Sequence, residues 1–198
     1  MAITTYAELV TALTTNWMHR DDLATVAPEA IAIAEAKFNR RLRTKHQELA
    51  LAATAIDSSY QIAIPSNFRA VKRLWRTDSP TMPLGVKSLE FIIKRSWAAE
   101  KALNYCVEDA TFRFDGTGTV AGVLLRNIPA LSGSNTTNWL LTAEPDVYLY
   151  NCMAEMTKYV GNMERASHWE QLGDRKIDEI NRVENADQFS GSLTVRSA

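Results

Sequence analysis

The stretch Ile128–Tyr159, IPALSGSNTTNWLLTAEPDVYLYNCMAEMTKY, runs from a turn-rich loop into a helix that is apolar nearly all the way round. From Val147 to Val160, ten of fourteen residues are apolar. The polar Asn151, Glu155 and Lys158 fall at i, i+4 and i+7 and so form one narrow stripe on an otherwise apolar cylinder. A surface helix normally packs through one apolar face. The expectation is therefore that a single copy of the chain leaves part of this helix uncovered. A second copy would then cover it through a subunit interface at Trp139, Val147, Tyr148, Tyr150 and Met153, making the protein a homo-oligomer.

Further helices lie on either side. Downstream, Glu164 to Glu184 places Ala166, Trp169, Leu172, Ile177, Ile180 and Val183 on one side of a fourth helix. At the other end of the chain, Thr5-Tyr-Ala-Glu8 reads as a capping box, and Tyr6, Leu9, Val10, Leu13 and Trp17 continue one helical stripe to about Arg20. Pro28 sits where a first-turn proline belongs, and Ile31, Ala34, Phe38 and Leu42 mark a second helix to about Arg43. Its basic end, Arg40, Arg41, Arg43 and Lys45, complements the negative end of the helix dipole. The same arginines could instead contact DNA or an acidic partner.

Between these helical pairs the period changes. From about Glu48 to Arg126, alternation such as Tyr60, Ile62, Ile64 and Tyr105, Val107, followed by Phe112 and Phe114, replaces the helical spacing. Pro65-Ser66-Asn67, Asp78-Ser79-Pro80 and Asp115-Gly116-Thr117-Gly118 read as turns, and Ser88 to Ala99 as a short helix. Short turns between strands favour an antiparallel meander. The expected fold is α+β: a four-helix core from residues 1–47 and 127–189, an inserted β-rich subdomain over 48–126, and a flexible tail over 190–198.

Composition bounds the function. With 46% apolar and 23% charged residues the chain is an ordinary folded protein, and no apolar run approaches the roughly 20 residues that span a bilayer. The start, MAITTYAELV, lacks a signal-peptide pattern, so synthesis and retention in the cytoplasm are expected. Residues 1–101 hold 14 Lys and Arg against 10 Asp and Glu, and residues 102–198 hold 8 against 13. That polarity suits stacked or side-by-side subunits and gives no general basis for capturing DNA.

No catalytic, cofactor or metal constellation emerges. Gly116, Gly118 and Gly122 precede a strand pattern rather than a helix, so they read as a hairpin turn and not a phosphate cradle. His19, His46 and His168 stand in separate segments without the spacing of zinc ligands, and Ser132 and Ser134 lack the elbow of an activated nucleophile. Cys106 and Cys152 read as small core residues, while Asp109 and Asp115 read as turn residues. Arg69, Lys72, Arg73 and Arg76 interleave with Val71, Leu74 and Trp75, a pattern of nucleic-acid-binding strands or of an exposed sheet face; Arg73 joins Arg40, Arg41 and Arg43 as a candidate DNA or partner contact.

Several motifs in order resemble the head-to-tail adaptor, or connector, proteins of tailed bacteriophages. They are Thr5-Tyr6-Ala7-Glu8-Leu9 with Trp17 and Arg20-Asp21-Asp22; Ile33 to Arg43 (IAEAKFNRRLR); Ile64-Pro65-Ser66-Asn67-Phe68 before Val71 to Trp75; Ile128-Pro129-Ala130-Leu131, Asn138 to Thr142 and Pro145 to Tyr150; Trp169-Glu170; and Phe189-Ser190-Gly191-Ser192. The resemblance implies a ring in the virion neck, dodecameric in relatives. Such a ring docks on the portal protein after DNA packaging, offers a platform to a tail or nozzle protein, and encircles DNA passing through its lumen. It also implies that the C-terminal segment, here Ser190, Gly191, Ser192, Leu193, Thr194, Val195, Arg196, Ser197 and Ala198, reaches the portal. The chain departs from the pattern at Glu108-Asp109, where a glycine-containing hairpin is expected. The alternative reading is a nucleic-acid-binding phage accessory protein.

Overall fold

The computed structural model describes residues 3–95 and 100–188. The chain divides into two compact units, Met1–His46 with Ile128–Ala198, and Gln47–Asn127. It is a mixed helix and sheet protein, with six α-helices and two sheets among the described residues.

In the first unit, α1 (Tyr6–Thr11) opens on the capping box: the Thr5 hydroxyl accepts the Glu8 N–H at 3.3 Å, and the Glu8 carboxylate accepts the Thr5 N–H at 3.0 Å. The expected regular helix to Arg20 instead widens into a π-wound segment, Ala12–Met18, and stops at His19 in the left-handed conformation. The Thr11 and Thr14 hydroxyls donate back to the Ala7 and Val10 carbonyls, a competition with the regular ladder that loosens helices. After a 3-10 turn at Asp21–Thr25, α2 (Ala27–Arg41) carries Pro28 in its first turn and ends where Leu42 becomes extended.

The helical part is richer than the four-helix expectation, because a short α4 (Trp139–Ala143), capped by the Asn138 side chain, precedes the apolar helix α5 (Pro145–Tyr159). Gly161, with φ 85°, supplies the left-handed residue that ends α5. Asn162 then caps α6 (Met163–Gln188) by accepting the Arg165 N–H at 3.1 Å. The core of this unit gathers Leu9, Leu13, Ile31, Phe38, Tyr148 and Met153.

The second unit holds β1 (Glu48–Ala55), β2 (Gln61–Ala63), β3 (Phe68–Arg76), β4 (Ser79–Pro83), β5 (Gly85–Val86), α3 (Leu89–Arg95), β6 (Asn104–Glu108), β7 (Thr111–Phe114) and β8 (Thr119–Arg126). The strands form two sheets, ordered β1-β8-β3-β4 and β2-β7-β6-β5, around a core of Leu74, Phe112, Phe114, Val120 and Leu124. The meander expectation is corrected in two respects. Strand β8 inserts between β1 and β3, and β5 runs parallel to β6, a pairing made possible by the crossover that carries α3.

At the β6–β7 hairpin Asp109 takes φ 49°, the left-handed conformation that glycine would otherwise supply, and this accounts for the missing glycine. Asp115 opens the bend between β7 and β8, as expected, and does more than turn the chain. Its buried carboxylate accepts the Leu103 and Asn104 N–H groups at 2.8 and 2.9 Å and the Asn104 side-chain amide at 2.7 Å.

Candidate assembly site

Glu35 and Asn39 lie one helical turn apart on α2 and therefore face the same way. Together they clamp the loop that precedes α4. The Asn39 side-chain oxygen accepts the Ile128 N–H at 2.8 Å, and Glu35 Oε1 accepts the Leu131 N–H at 2.8 Å. Glu35 Oε1 also accepts the Tyr148 hydroxyl at 3.1 Å, and that hydroxyl in turn accepts from Asn138 Nδ2 at 2.7 Å. Asn138 completes the knot by donating to the Pro129 carbonyl and accepting the Leu141 N–H.

Burial pushes the Glu35 carboxyl above the usual range, against the pull of the Leu131 and Tyr148 hydrogen bonds. Burial and the neighbouring Glu35 push the Tyr148 phenol far above its ordinary value. The ring of Tyr148 also meets Phe38 edge-on at 5.0 Å. Tyr148 is fully buried and Glu35 nearly so, so this network holds a loop in place and offers nothing to a diffusing substrate.

The environment of α5 corrects the premise that one chain cannot cover it. Val147, Tyr148 and Met153, expected at a subunit interface, are fully buried within their own unit. The polar stripe is solvated only in part: Glu155 and Lys158 are half-buried, and Asn151 is buried. Asn151 is 2% exposed and packs against α6 at Gly173, where an added Cβ would lie 2.6 Å from Asn151 Nδ2. Lys158 contacts Glu155 at 3.0 Å and Glu170 at 3.4 Å. The helix thus packs against both α2 and α6, and glycine at 173 allows the close approach to α6.

Trp139 and Tyr150, the other two expected interface residues, stay half-buried. Tyr150 stacks on Trp169 at 5.9 Å, and Trp17 meets Trp169 edge-on at 5.4 Å.

Trp139 lines a groove that sequence reasoning did not find. His46 stacks on its indole with centroids 4.9 Å apart, and Ile180 and Val183 of α6 supply the aliphatic part of a cavity of about 180 Å³. Glu144, Glu179 and Glu184 add three carboxylates, with Lys176 the opposing cation in the lining. Burial and then Asp146 raise the Glu144 carboxyl. The signal available in sequence was Val183, an apolar residue continuing the α6 stripe with no core left to meet; it is 53% exposed.

Across residues 4–196 the sequence matches the family model described as SU10 adaptor protein. The chain belongs to the SU10 adaptor protein family. No curated protein matches it. The resemblance to phage head-to-tail adaptors read from the motifs is thereby established, and the clamp joins two of those motifs, Ile33 to Arg43 and Ile128 to Leu131.

The basic residues of this adaptor family member are largely engaged within the chain. Arg41 pairs with Asp174 at 2.6 Å and Asp178 at 3.1 Å, and Arg43 donates to the Arg40 and Leu42 carbonyls at the end of α2. Arg40 is exposed. Arg73, in the other unit, lies over Trp75 at 5.5 Å and donates to the Pro80 carbonyl at 3.0 Å. Among the described residues no cluster of His, Cys, Asp and Glu is arranged to hold a metal, and no helix is long and apolar enough to cross a membrane. The expected portal-binding residues 190–198 lie outside the described residues.

Proposed function

We propose that this adaptor family member is a structural component of the neck of a tailed phage. It assembles into a ring, with twelve copies as in the relatives its motifs resemble, docks on the portal protein once DNA is packaged, and carries the tail or nozzle protein on its far side. The observation that carries this reading is the family match over residues 4–196. The helical unit, residues 1–47 with 127–189, serves as the adaptor core, with 48–126 as an inserted domain. Because Val147, Tyr148 and Met153 are consumed by the chain's own core, subunit contacts fall to surface residues, with Trp139 and Tyr150 the candidates retained. Arg40, Arg43 and Arg73 are the exposed members of the arginine set proposed to meet DNA or an acidic partner.

The test is co-sedimentation of the purified full-length protein with portal rings, with particle mass giving the copy number. Wild type should co-sediment as a ring, and a chain lacking residues 190–198 should remain in the supernatant as a folded protein. Failure of the full-length protein to bind the portal overturns the docking role. Undiminished binding by the shortened chain reassigns attachment to the helical body.

A further inference from the structure

We propose that, in the free protein, β1 pairs edge to edge with β1 of a second copy of this chain, joining their four-stranded sheets across a two-fold axis. The first argument is the open edge. Among the described residues β1 lies at the end of the sheet β1-β8-β3-β4, with β8 as its one strand neighbour. An edge strand turns a row of N–H and C=O groups away from its partner, and folded proteins blunt such rows with short strands, prolines or charges. The other three edges follow that rule. Strand β2 has three residues and β5 has two, while β4 carries Pro80 and Pro83, which have no N–H to offer. By contrast β1 runs for eight residues, ELALAATA, without proline, glycine or lysine. Its one charge, Glu48, stands at its first position and is paired with Lys72 of β3.

The second argument is the apolar surface that this edge leaves uncovered. Leu49, Leu51 and, just past the strand, Ile56 are only partly buried against the core of the second unit. Leu49 and Leu51 stand in register with Leu124 and Gly122 of β8 and belong to the core-facing side. Ala50, in register with Val123, points to the other side and is exposed. A further strand must therefore bring aliphatic side chains to the core side at alternate positions and small ones to the opposite side.

The third argument is that β1 itself meets this requirement. Antiparallel self-pairing centred on Ala50 sets Leu49 opposite Leu51 of the second copy, twice, on the core-facing side. Glu48 then faces the small Ala52 of the second copy and meets no like charge. This register uses the start of β1, where pairing with β8 is continuous from Glu48 to Leu51; the irregularity lies beyond, between Leu51 and Thr54. A two-fold contact is isologous, whereas the contacts that close a cyclic ring are heterologous. The pairing thus belongs to the protein before it enters a ring, where it closes an edge that would otherwise recruit other strands. It does not rest on the neck reading.

A single cysteine in the full-length protein tests it. Directly opposed residues of antiparallel strands have Cα atoms roughly 4.5–5.5 Å apart, within the span of a disulfide. Under mild oxidation Ala50→Cys should cross-link two chains at least tenfold faster than Thr81→Cys, placed on the proline-bearing edge β4. The native Cys106 and Cys152 are buried and do not compete. One pair of short strands is a small, reversible interface, so sedimentation is followed across a concentration series. Wild type should pass from monomer to dimer. Ala50→Lys, which sets like charges face to face, should stay monomeric with the circular dichroism of wild type, and mixing it with Ala50→Glu should restore the dimer. Cross-linking no faster at position 50 than at 81, or a wild type that is monomeric throughout, overturns the proposal. Association into rings that Ala50→Lys leaves untouched also overturns it while supporting the neck reading, so the two fail separately.

Discussion

Replacing Glu35 by alanine probes the clamp that joins α2 to the loop before α4. The change removes one oxygen that accepts both the Leu131 N–H and the Tyr148 hydroxyl, at 2.8 and 3.1 Å. The hydroxyl cannot turn to Asn138, because that amide already donates to it. Two buried donors are therefore stranded, each costing about 1–3 kcal/mol. Removing a carboxylate that was itself costly to bury offsets part of this, so the expected net loss is about 2–4 kcal/mol. With a urea dependence of about 2 kcal/mol per molar, the unfolding midpoint falls by roughly 1–2 M. Far-ultraviolet circular dichroism reads the midpoint, and hydrogen exchange reads the Leu131 amide, which should lose its protection.

Glu35→Gln keeps the accepting oxygen and should cost far less than the alanine change. It also removes a titration. The folded carboxyl is raised above 4.5, so its stability contribution is complete below the unfolded value and is lost as pH rises through the folded one. Wild type should therefore gain on Glu35→Gln as pH falls from neutral toward 4.5. A loss below about 1 kcal/mol for Glu35→Ala, or Glu35→Gln as damaging as alanine, would refute the clamp, since two stranded donors cannot cost so little.

Two further outcomes follow from the packing of α6. Gly173→Ala drives a Cβ to 2.6 Å from Asn151 Nδ2, which is held by its bond to the Val147 carbonyl at 2.8 Å, so a loss of about 1–3 kcal/mol is expected and thermal unfolding should fall by several degrees. Combined with Asn151→Ala the same substitution should cost much less, and additive losses would show that the two residues do not meet. Asp174→Asn, which weakens the contacts to Lys37 and Arg41 at 2.6 Å each, should cost under about 1 kcal/mol because the pair is part-exposed, and the cost should fade in ~1 M salt. Burial pushes the Asp174 carboxyl up, but Lys37 and Arg41 outweigh it and hold the group below 3.8, so this contribution is present above that value and lost as pH falls through the folded one.

Local order was legible in the sequence because its causes are local. The Thr5–Glu8 capping box, Pro28 at the start of α2, the alternation around Phe112 and Phe114, and the order of short motifs that marks the family all depend on residues a few positions apart. What covers α5 depends on elements far along the chain. The sequence shows a helix apolar on most sides but not that α2 and α6 pack against it, nor that glycine at 173 brings Asn151 into the core. The Glu35–Tyr148–Asn138 network is equally invisible, because a carboxylate inside an apolar helical stripe reads as solvated until the fold brings a hydroxyl and a backbone N–H to it across about a hundred residues. The groove beside Trp139 likewise exists only where His46, α4 and the end of α6 converge. Periodicity states how much apolar surface an element has, and only tertiary packing decides which neighbour removes that surface from water.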